Sequence, residues 1–520
     1  MQTKPIALRN AALVTACVTT AYLILRQIIA VYTGLDRPLD TDEVEYLHSG
    51  WLMHQGLRLY RDFAEDHAPF LFVILKWLVP ASGTTSFPRL DLIAYVARAR
   101  IFAGACGLLG LSTVAVLAYR ATASVVAPLI AIAAVMAAPW VWLRALVQVR
   151  NDPPALLLFW LGALLLLGGW KSERLRFLFA GIGIGLIAVA AIWNPKWPLE
   201  SIVLGIVYLA LAVRAFRRGP KMIALMIVPP IVCVVAAAWW IVATVPLNDY
   251  LFFTFRFNKL LTDWTAANPI LSAEQFQHPG PYTFCPPVFK GVWPIIAAIV
   301  MVTLLIRRRM PGRNLAWIFL ALAAAATLEI RFLYAYPNVW TQYYVMWAFI
   351  AAGLYGMTAA ALLRSIPAEG MRLAATITIA LLAILGVELS LPLRTAVTGW
   401  PTLSYLQRSL RPGETVWVFR HPIGAPDASY YWFAMNDLVP FSIDYATKHP
   451  GQTQLPDITD RDLPACRAER GLEPHLRFIS GGEFLRALPE SRRCLDRIIA
   501  SGRAVRTPVP DVWDLHPDRR

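Results

Sequence analysis

The sequence predicts an α-helical polytopic membrane protein with about eleven transmembrane helices and a small α/β domain after them. Three observations carry that expectation. First, the mean hydropathy is +0.52, and 57% of the 520 residues are hydrophobic against 16% charged. Soluble domains carry roughly a quarter charged residues. Second, apolar runs of the length a bilayer requires, about 20 residues, recur along the chain. They are continuous and not alternating, which implies helices and not a barrel. Third, the basic residues gather in short loops between those runs: Lys171, Arg174 and Arg176; Arg214, Arg217, Arg218 and Lys221; Arg307, Arg308, Arg309 and Arg313; Arg364 and Arg372. This is the positive-inside pattern of cytoplasmic loops. It accounts for the net charge of +15 without nucleic acid as a partner, and no reader motif for nucleic acid is present.

Taken in order, the chain starts with Lys4 and Arg9 ahead of an apolar stretch from Ala11 to Tyr32. That stretch is too long for a signal-peptide core and lacks a small-x-small cleavage site, so it reads as a retained first span with its N-terminus in the cytoplasm. A polar, acidic loop covers residues 33–69, and the apolar piece Phe70 to Pro80 is too short to cross. Further runs centre near residues 106, 133, 161, 185, 205, 233, 297, 325, 351 and 382. Alternation from a cytoplasmic N-terminus places every basic cluster inside. It places the acidic loop, Asn151-Asp152, Lys196, the loop from Leu247 to Lys290 and the C-terminal tail outside. The expected location is therefore the cell (inner) membrane, with a membrane domain over residues 1–392 and an extracytoplasmic domain over 393–520.

Within the tail, Thr415 to Arg420 reads as a strand after the turn Arg411-Pro412-Gly413, Gly482 to Ala500 as a helix, and Asp511 to Leu515 as a strand. Cys17, Cys106 and Cys233 lie in apolar runs, where a thiol behaves as a small hydrophobe. Cys466 and Cys494 lie in the tail and can pair if it is outside the cytoplasm. No ligand-type cysteine spacing appears.

The acidic loop holds the most chemistry. Val44, Leu47, Trp51 and Leu52 share one helical face and Gly56 ends the helix, so the segment reads as an amphipathic helix in the membrane interface with Trp51 at headgroup level. Asp42 with Glu45 three residues on resembles a capping box, and Asp42 and Glu43 are also placed for a general base at the membrane surface. Asp40-x-Asp42 is of a kind that holds a divalent cation, Mg or Mn, although two spaced acids do not define a metal site. No cofactor is otherwise implied. Trp193, Trp197, Trp239, Trp240, Trp340 and Trp347 read as interface belt residues.

The order of these motifs resembles the C-type fold glycosyltransferases, in particular the bacterial relatives of protein O-mannosyltransferases and lipid A aminoarabinose transferases. The resemblance rests on Asp42-Glu43, on the Gly56-x-x-x-Tyr60-x-Asp62-Phe63 run, and on Asp66-His67-Ala68-Pro69. It continues with Arg98-Ala-Arg100, Arg150-Asn-Asp152-Pro, Lys196, Tyr336-Pro337 and Gln342-Tyr343-Tyr344. The resemblance implies a polyprenyl-phosphate sugar donor, an inverting hexosyl or pentosyl transfer, and a catalytic acid in the first outer loop. Asp42 matches that position, with Glu43 beside it and Asp152 as alternate or helper. Where relatives often have Lys-Pro-Pro this chain has His67-Ala68-Pro69.

The residue types suit the chemistry. An acceptor hydroxyl loses its proton as it attacks the anomeric carbon, which asks for a carboxylate. The leaving lipid phosphate is stable as an anion and asks for cations: Lys196, Arg331, Arg100 or Arg256, each of which is also a candidate for snorkelling to headgroups. Asp62, Asp66, His67, Gln342 and Tyr343 are the expected substrate contacts. The expected acceptor is an extracytoplasmic lipid, glycan or protein. Two other readings share the spans: a transporter or flippase of polyprenyl-linked glycans, and a non-catalytic assembly partner of the same fold. A transporter is expected to carry paired charges in mid-span.

Overall fold

The computed structural model describes residues 3–33, 41–63, 65–80, 92–267, 292–307, 311–330, 344–395, 405, 408–411, 413–417, 438–451, 459–480, 485 and 488–516. The helices are α1 (Thr3–Thr33), α2 (Thr41–His54), α3 (Phe70–Leu78), α4 (Leu92–Thr122), α5 (Val126–Met136), α6 (Pro139–Leu146), α7 (Asp152–Leu167) and α8 (Glu173–Trp193). They continue with α9 (Pro198–Arg218), α10 (Pro220–Thr244), α11 (Leu247–Leu251), a π-helix (Phe252–Phe257) and α12 (Asn258–Ala267). Then come α13 (Val292–Ile306), α14 (Arg313–Leu328), α15 (Tyr344–Ser365) and α16 (Glu369–Thr395).

Every apolar run foreseen from the sequence falls on one of these helices. Among the described residues, seven are long and apolar enough to cross a membrane, and four shorter apolar ones (α5, α7, α13 and α14) accompany them. The chain is a multi-pass membrane protein. Nine-residue α3 is short, as expected.

The chain forms two compact units from interleaved segments. The first comprises Met1–Gly34, Arg100–Trp239 and Glu274–Ala396. Small residues set its helix packing, as they do where no hydrophobic effect drives helices together in lipid. Gly162 of α7 and Gly183 of α8 face each other so closely that a Cβ on either would lie 2.5 Å from the other's carbonyl oxygen. In the same unit Arg26 of α1 makes a bidentate pair with Glu388 of α16, at 2.7 and 2.8 Å, and the Tyr22 hydroxyl donates to the same carboxylate at 2.6 Å.

The second unit comprises Leu35–Ala99, Trp240–Ala273 and Val397–Arg520. Here α2 corrects the expectation of a one-sided interfacial helix. Every position from Glu43 to Met53 is buried, Trp51 included. Gly50 permits this, because a Cβ there would meet Leu75 of α3 at 2.5 Å and the Tyr95 hydroxyl at 2.7 Å. Nor is Asp42 a helix cap, since α2 begins at Thr41. Gly56 ends the segment as foreseen, at φ +91°.

The tail of this unit folds as α/β. Strands β1 (Thr415–Trp417), β2 (Leu476–Ser480), β3 (Ala504–Arg506) and β4 (Val512–Leu515) form a sheet of order β1-β2-β4-β3. The β1–β2 pair is parallel and the others antiparallel. Helices α17 (Leu438–Lys448), α18 (Pro464–Glu469) and α19 (Pro489–Ala500) belong to the same stretch. Trp417, Ile479, Leu488, Leu495 and Leu515 fill the core. Cys466 and Cys494 form a disulfide that joins α18 to α19.

Candidate functional site

Two clusters of buried polar side chains stand out, one in each unit. The first is built by the turn between Gly56 and Phe70, which folds onto the polar face of α2. Asp62 closes the start of the turn, accepting from the Arg58 backbone N–H at 2.8 Å and pairing with its guanidinium at 3.2 Å. Burial works to raise the Asp62 carboxyl, but the hydrogen bonds and charge of Arg58 together outweigh it and hold the group below its ordinary value. Tyr60 adopts φ +65°, rare for a bulky residue. Its buried ring stacks on Phe253 of the π-helix at 5.3 Å, and its hydroxyl donates to the His67 carbonyl.

His67 is the hub. Its Nδ1 lies 2.8 Å from Asp66 Oδ1, 2.9 Å from Glu65 Oε1 and 3.9 Å from Glu45 Oε1. Its Nε2 faces the Tyr46 hydroxyl at 3.1 Å. Ser49 donates to Glu65 Oε2 at 3.0 Å. Burial works to lower the His67 pKa, but the Asp66 and Glu65 carboxylates reverse this and raise it to about 10. The ring is 27% exposed, which tempers the burial contribution. His67 is thus a cation at neutral pH, as a lysine would be. Burial raises Glu65, while for Asp66 the attraction of His67 overcomes burial and lowers it. His48, on the same helix, is pushed down to about 4 by burial and stays neutral.

Glu45, Glu65, Asp66 and His67 offer ligand atoms within 4.8 Å of one another. Three carboxylates and an imidazole suit a divalent cation, provided His67 gives up the proton it shares with the carboxylates. Only Asp66 and His67 of this cluster were expected from the sequence. Glu45 and Glu65 were not, although Glu65 stands one residue before the motif.

The second cluster joins the start of α7 to the turn between α8 and α9. Asp152, the first residue of α7, is followed by Pro153 and Pro154, whose fixed φ suits a helix start. Its Oδ1 accepts from Asn194 Nδ2 at 3.0 Å and from Lys196 Nζ at 3.1 Å, and its Oδ2 faces Arg150 Nε at 3.5 Å. Asp152 and Arg150 are fully enclosed, whereas the Lys196 side chain keeps 17% exposure. Asn151 is the N-cap of α7 but makes no capping bond, and its Oδ1 instead accepts from Trp193 Nε1 at 3.3 Å. Trp193 and Trp197 are therefore buried site neighbours and not belt residues, a correction that follows from the indole bond and from burial. Trp239 is exposed, as a belt residue would be.

The structure thus brings Asp152 and Lys196 together, which the sequence had assigned to separate roles. It places Arg100 fully buried in α4 and Arg256 exposed on the π-helix. Glu43 is wholly buried on α2. The side chain of Asp42, and Asp40, Arg331, Tyr336, Pro337, Trp340, Gln342 and Tyr343, lie outside the described residues. Sequence reading missed Glu200 and Glu329, both buried, the second accepting from the Leu199 backbone N–H at 3.1 Å. A carboxylate at the edge of an apolar run is the signal that could have found each.

No protein-family model matches the chain, and no curated protein matches it in sequence. Solved structures do. The crystal structure of ArnT from Cupriavidus metallidurans bound to undecaprenyl phosphate aligns over 95% of this chain and 97% of that one, with a TM-score of 0.58 and 15% identity. The same protein in the apo state aligns over 79% and 84%, with a TM-score of 0.48 and 15% identity. At this identity the likeness to the first establishes the fold.

Proposed function

We propose that this protein is a membrane-embedded glycosyltransferase that moves a sugar from a polyprenyl-phosphate donor to a hydroxyl of an extracytoplasmic acceptor. The observation that carries the reading is the lysine-centred cluster at Asp152, found on a fold shared along almost its whole length with a protein crystallised with undecaprenyl phosphate. Fold alone does not give function. A partly exposed ammonium, held by a buried carboxylate and flanked by an amide, supplies donors suited to a lipid phosphate.

In this reading the acceptor oxygen attacks the anomeric carbon from the face opposite the phosphate, so the configuration inverts. The bond between that carbon and the phosphate oxygen breaks, and the polyprenyl phosphate leaves as an anion. Lys196 receives the developing negative charge. The acceptor proton passes to a carboxylate at the start of α2, Asp42 with Glu43 as its neighbour. Asp152 is occupied by Lys196, Asn194 and Arg150, so its part is to orient the ammonium and not to take a proton. The Glu45–Glu65–Asp66–His67 cluster would hold a divalent cation, which would supply a further positive charge for substrate oxygens. Its alternative, with His67 protonated, supplies a fixed positive charge where relatives carry lysine.

The donor and acceptor meet the protein on the extracytoplasmic side of the inner membrane, with the N-terminus in the cytoplasm. A transporter of the same lipid would need paired charges in mid-span. Arg26 and Glu388 lie in the last turns of their spans, and Glu200 lies in the first turn of its own. This distribution favours chemistry at the membrane surface.

The test is transfer from radiolabelled polyprenyl-phosphate sugars in membranes, with and without Asp42→Asn. Asn keeps the size of Asp and its compatibility with a helix start but not its basicity. General-base contributions are about 10²–10⁴-fold, so transfer should fall at least a hundredfold at normal expression. Near-normal transfer by the variant would remove Asp42 from the mechanism. Absence of transfer by the wild type from every polyprenyl-linked sugar would remove the activity.

A further inference from the structure

Asn151 presents an unused hydrogen-bond donor beside the lysine cluster. The residue is 2% exposed. Its Oδ1 is committed to Trp193 Nε1 at 3.3 Å. An indole N–H can only donate, so the amide is fixed with its oxygen toward Trp193 and its nitrogen turned away. That nitrogen, Nδ2, has no acceptor among the described residues. The Trp197 indole N–H, buried on the adjoining turn, has none either. Leaving a buried donor unmade is costly, and native structures rarely do so without a reason.

The helix start next to it makes the reason specific. An α-helix N-terminus normally offers backbone N–H groups to an anion. Here Pro153 and Pro154 remove two of them, and the Ala155 N–H is already turned to the Asn151 carbonyl at 3.4 Å. The side-chain amide of Asn151, the N-cap residue, is a further donor at this same helix start. It is adjacent in sequence to Asp152, which holds Lys196 at 3.1 Å. Amide donors next to a cation favour a charged acceptor over a neutral one.

We propose that Asn151 is a binding residue for the phosphate of the polyprenyl carrier, its amide N–H donating to a phosphate oxygen whose charge Lys196 balances. The inference rests on the reading above that such a carrier is the donor lipid, and it adds a residue to which no role was assigned. It also gives Trp193 a part, as the group that orients the amide.

The experiment uses the full chain in nanodiscs and two probes, undecaprenyl phosphate and its uncharged alcohol undecaprenol, with binding read by native mass spectrometry. Asn151→Asp keeps the acceptor for Trp193, replaces the donor with a carboxylate oxygen and adds a negative charge. It should weaken undecaprenyl phosphate by at least about tenfold, the loss expected for a charge-assisted hydrogen bond, and leave undecaprenol within about twofold. Asn151→Leu, which removes the donor without adding charge but also the acceptor for Trp193, provides the comparison of the two lipids should the aspartate variant not fold. Wild-type affinity for undecaprenyl phosphate in whichever variant folds, or an equal loss for both lipids, overturns the inference and leaves the glycosyltransferase reading intact. A wild-type protein that binds undecaprenyl phosphate no better than undecaprenol overturns both.

Discussion

Asp152→Asn separates two roles that a buried carboxylate in this position can play. If Asp152 orients Lys196, the substitution disturbs the ammonium and hence donor binding. If Asp152 is a base, it disturbs proton transfer and leaves donor binding alone. The structure gives the scale. Two unit charges 3.1 Å apart attract by about 5 kcal/mol at an effective dielectric constant near 20, a gross figure from which desolvation must be taken. Removing one partner of a buried pair costs about 3–5 kcal/mol, because the other charge is left uncompensated. The 17% exposure of Lys196 admits some water, which places the expected loss toward the lower end.

The assay is a double-mutant cycle of Asp152→Asn and Lys196→Gln, read by donor KM, kcat and thermal unfolding. For directly paired residues the coupling should be about 1–3 kcal/mol. Asp152→Asn should therefore raise the donor KM about tenfold or more in the presence of Lys196, and add little once Lys196 is glutamine. A fall in kcat of about a hundredfold or more with donor KM unchanged, persisting in the Lys196→Gln background, would refute the orienting role and make Asp152 the base. Coupling below about 0.5 kcal/mol would refute the pairing itself.

The sidedness can be checked by alkaline phosphatase fusions, which should be active after Arg520 and inactive after Arg309; the reverse pattern would invert the topology. The disulfide between Cys466 and Cys494 closes a loop of 28 residues, so its reduction should cost the tail about 3.5 kcal/mol, read as earlier unfolding and as alkylation of both thiols only after reductant. His67 links stability to pH. Its folded pKa is raised to about 10, so its contribution is complete below its unfolded value of about 6.5 and is lost as pH rises toward 10. With chelator present, the unfolding temperature of the wild type should fall over that range and that of His67→Gln should fall less. Parallel curves would show that His67 titrates no differently in the folded protein.

Much of this molecule was legible because the bilayer imposes a length and a composition that a single sequence displays. The eleven apolar runs, the short piece at Phe70, the helix stop at Gly56 and the tail strands at Thr415 and Val512 all follow from local patterns. What local pattern does not show is which polar groups find each other. On α2, Val44, Leu47 and Trp51 mark an apolar face, and the opposite face reads as solvated. It is instead buried, because Glu45, Tyr46 and Ser49 meet a turn about twenty residues further on. The same holds for Asp152, whose partners Asn194 and Lys196 lie more than forty residues away.

The two clusters have a common logic that bears on how such sites are read. Burying a charge without a partner is prohibitive, and burying it with one often gains nothing over an apolar side chain. A chain that needed only a stable bundle could therefore fill these positions with leucine. Instead, three carboxylates surround His67, and Lys196 is aligned by a carboxylate and kept partly open to solvent. The Asn151 amide nitrogen, at the start of α7, has no acceptor among the described residues. Stability does not account for these choices, whereas recognition of a charged group, as proposed above, would. The unspent donor says most here, since a paired charge can be a structural relic but a buried N–H without an acceptor persists only at a standing cost. That cost is repaid when an acceptor binds, which is why the comparison of a phosphate lipid with its alcohol at Asn151 bears directly on what this protein is for.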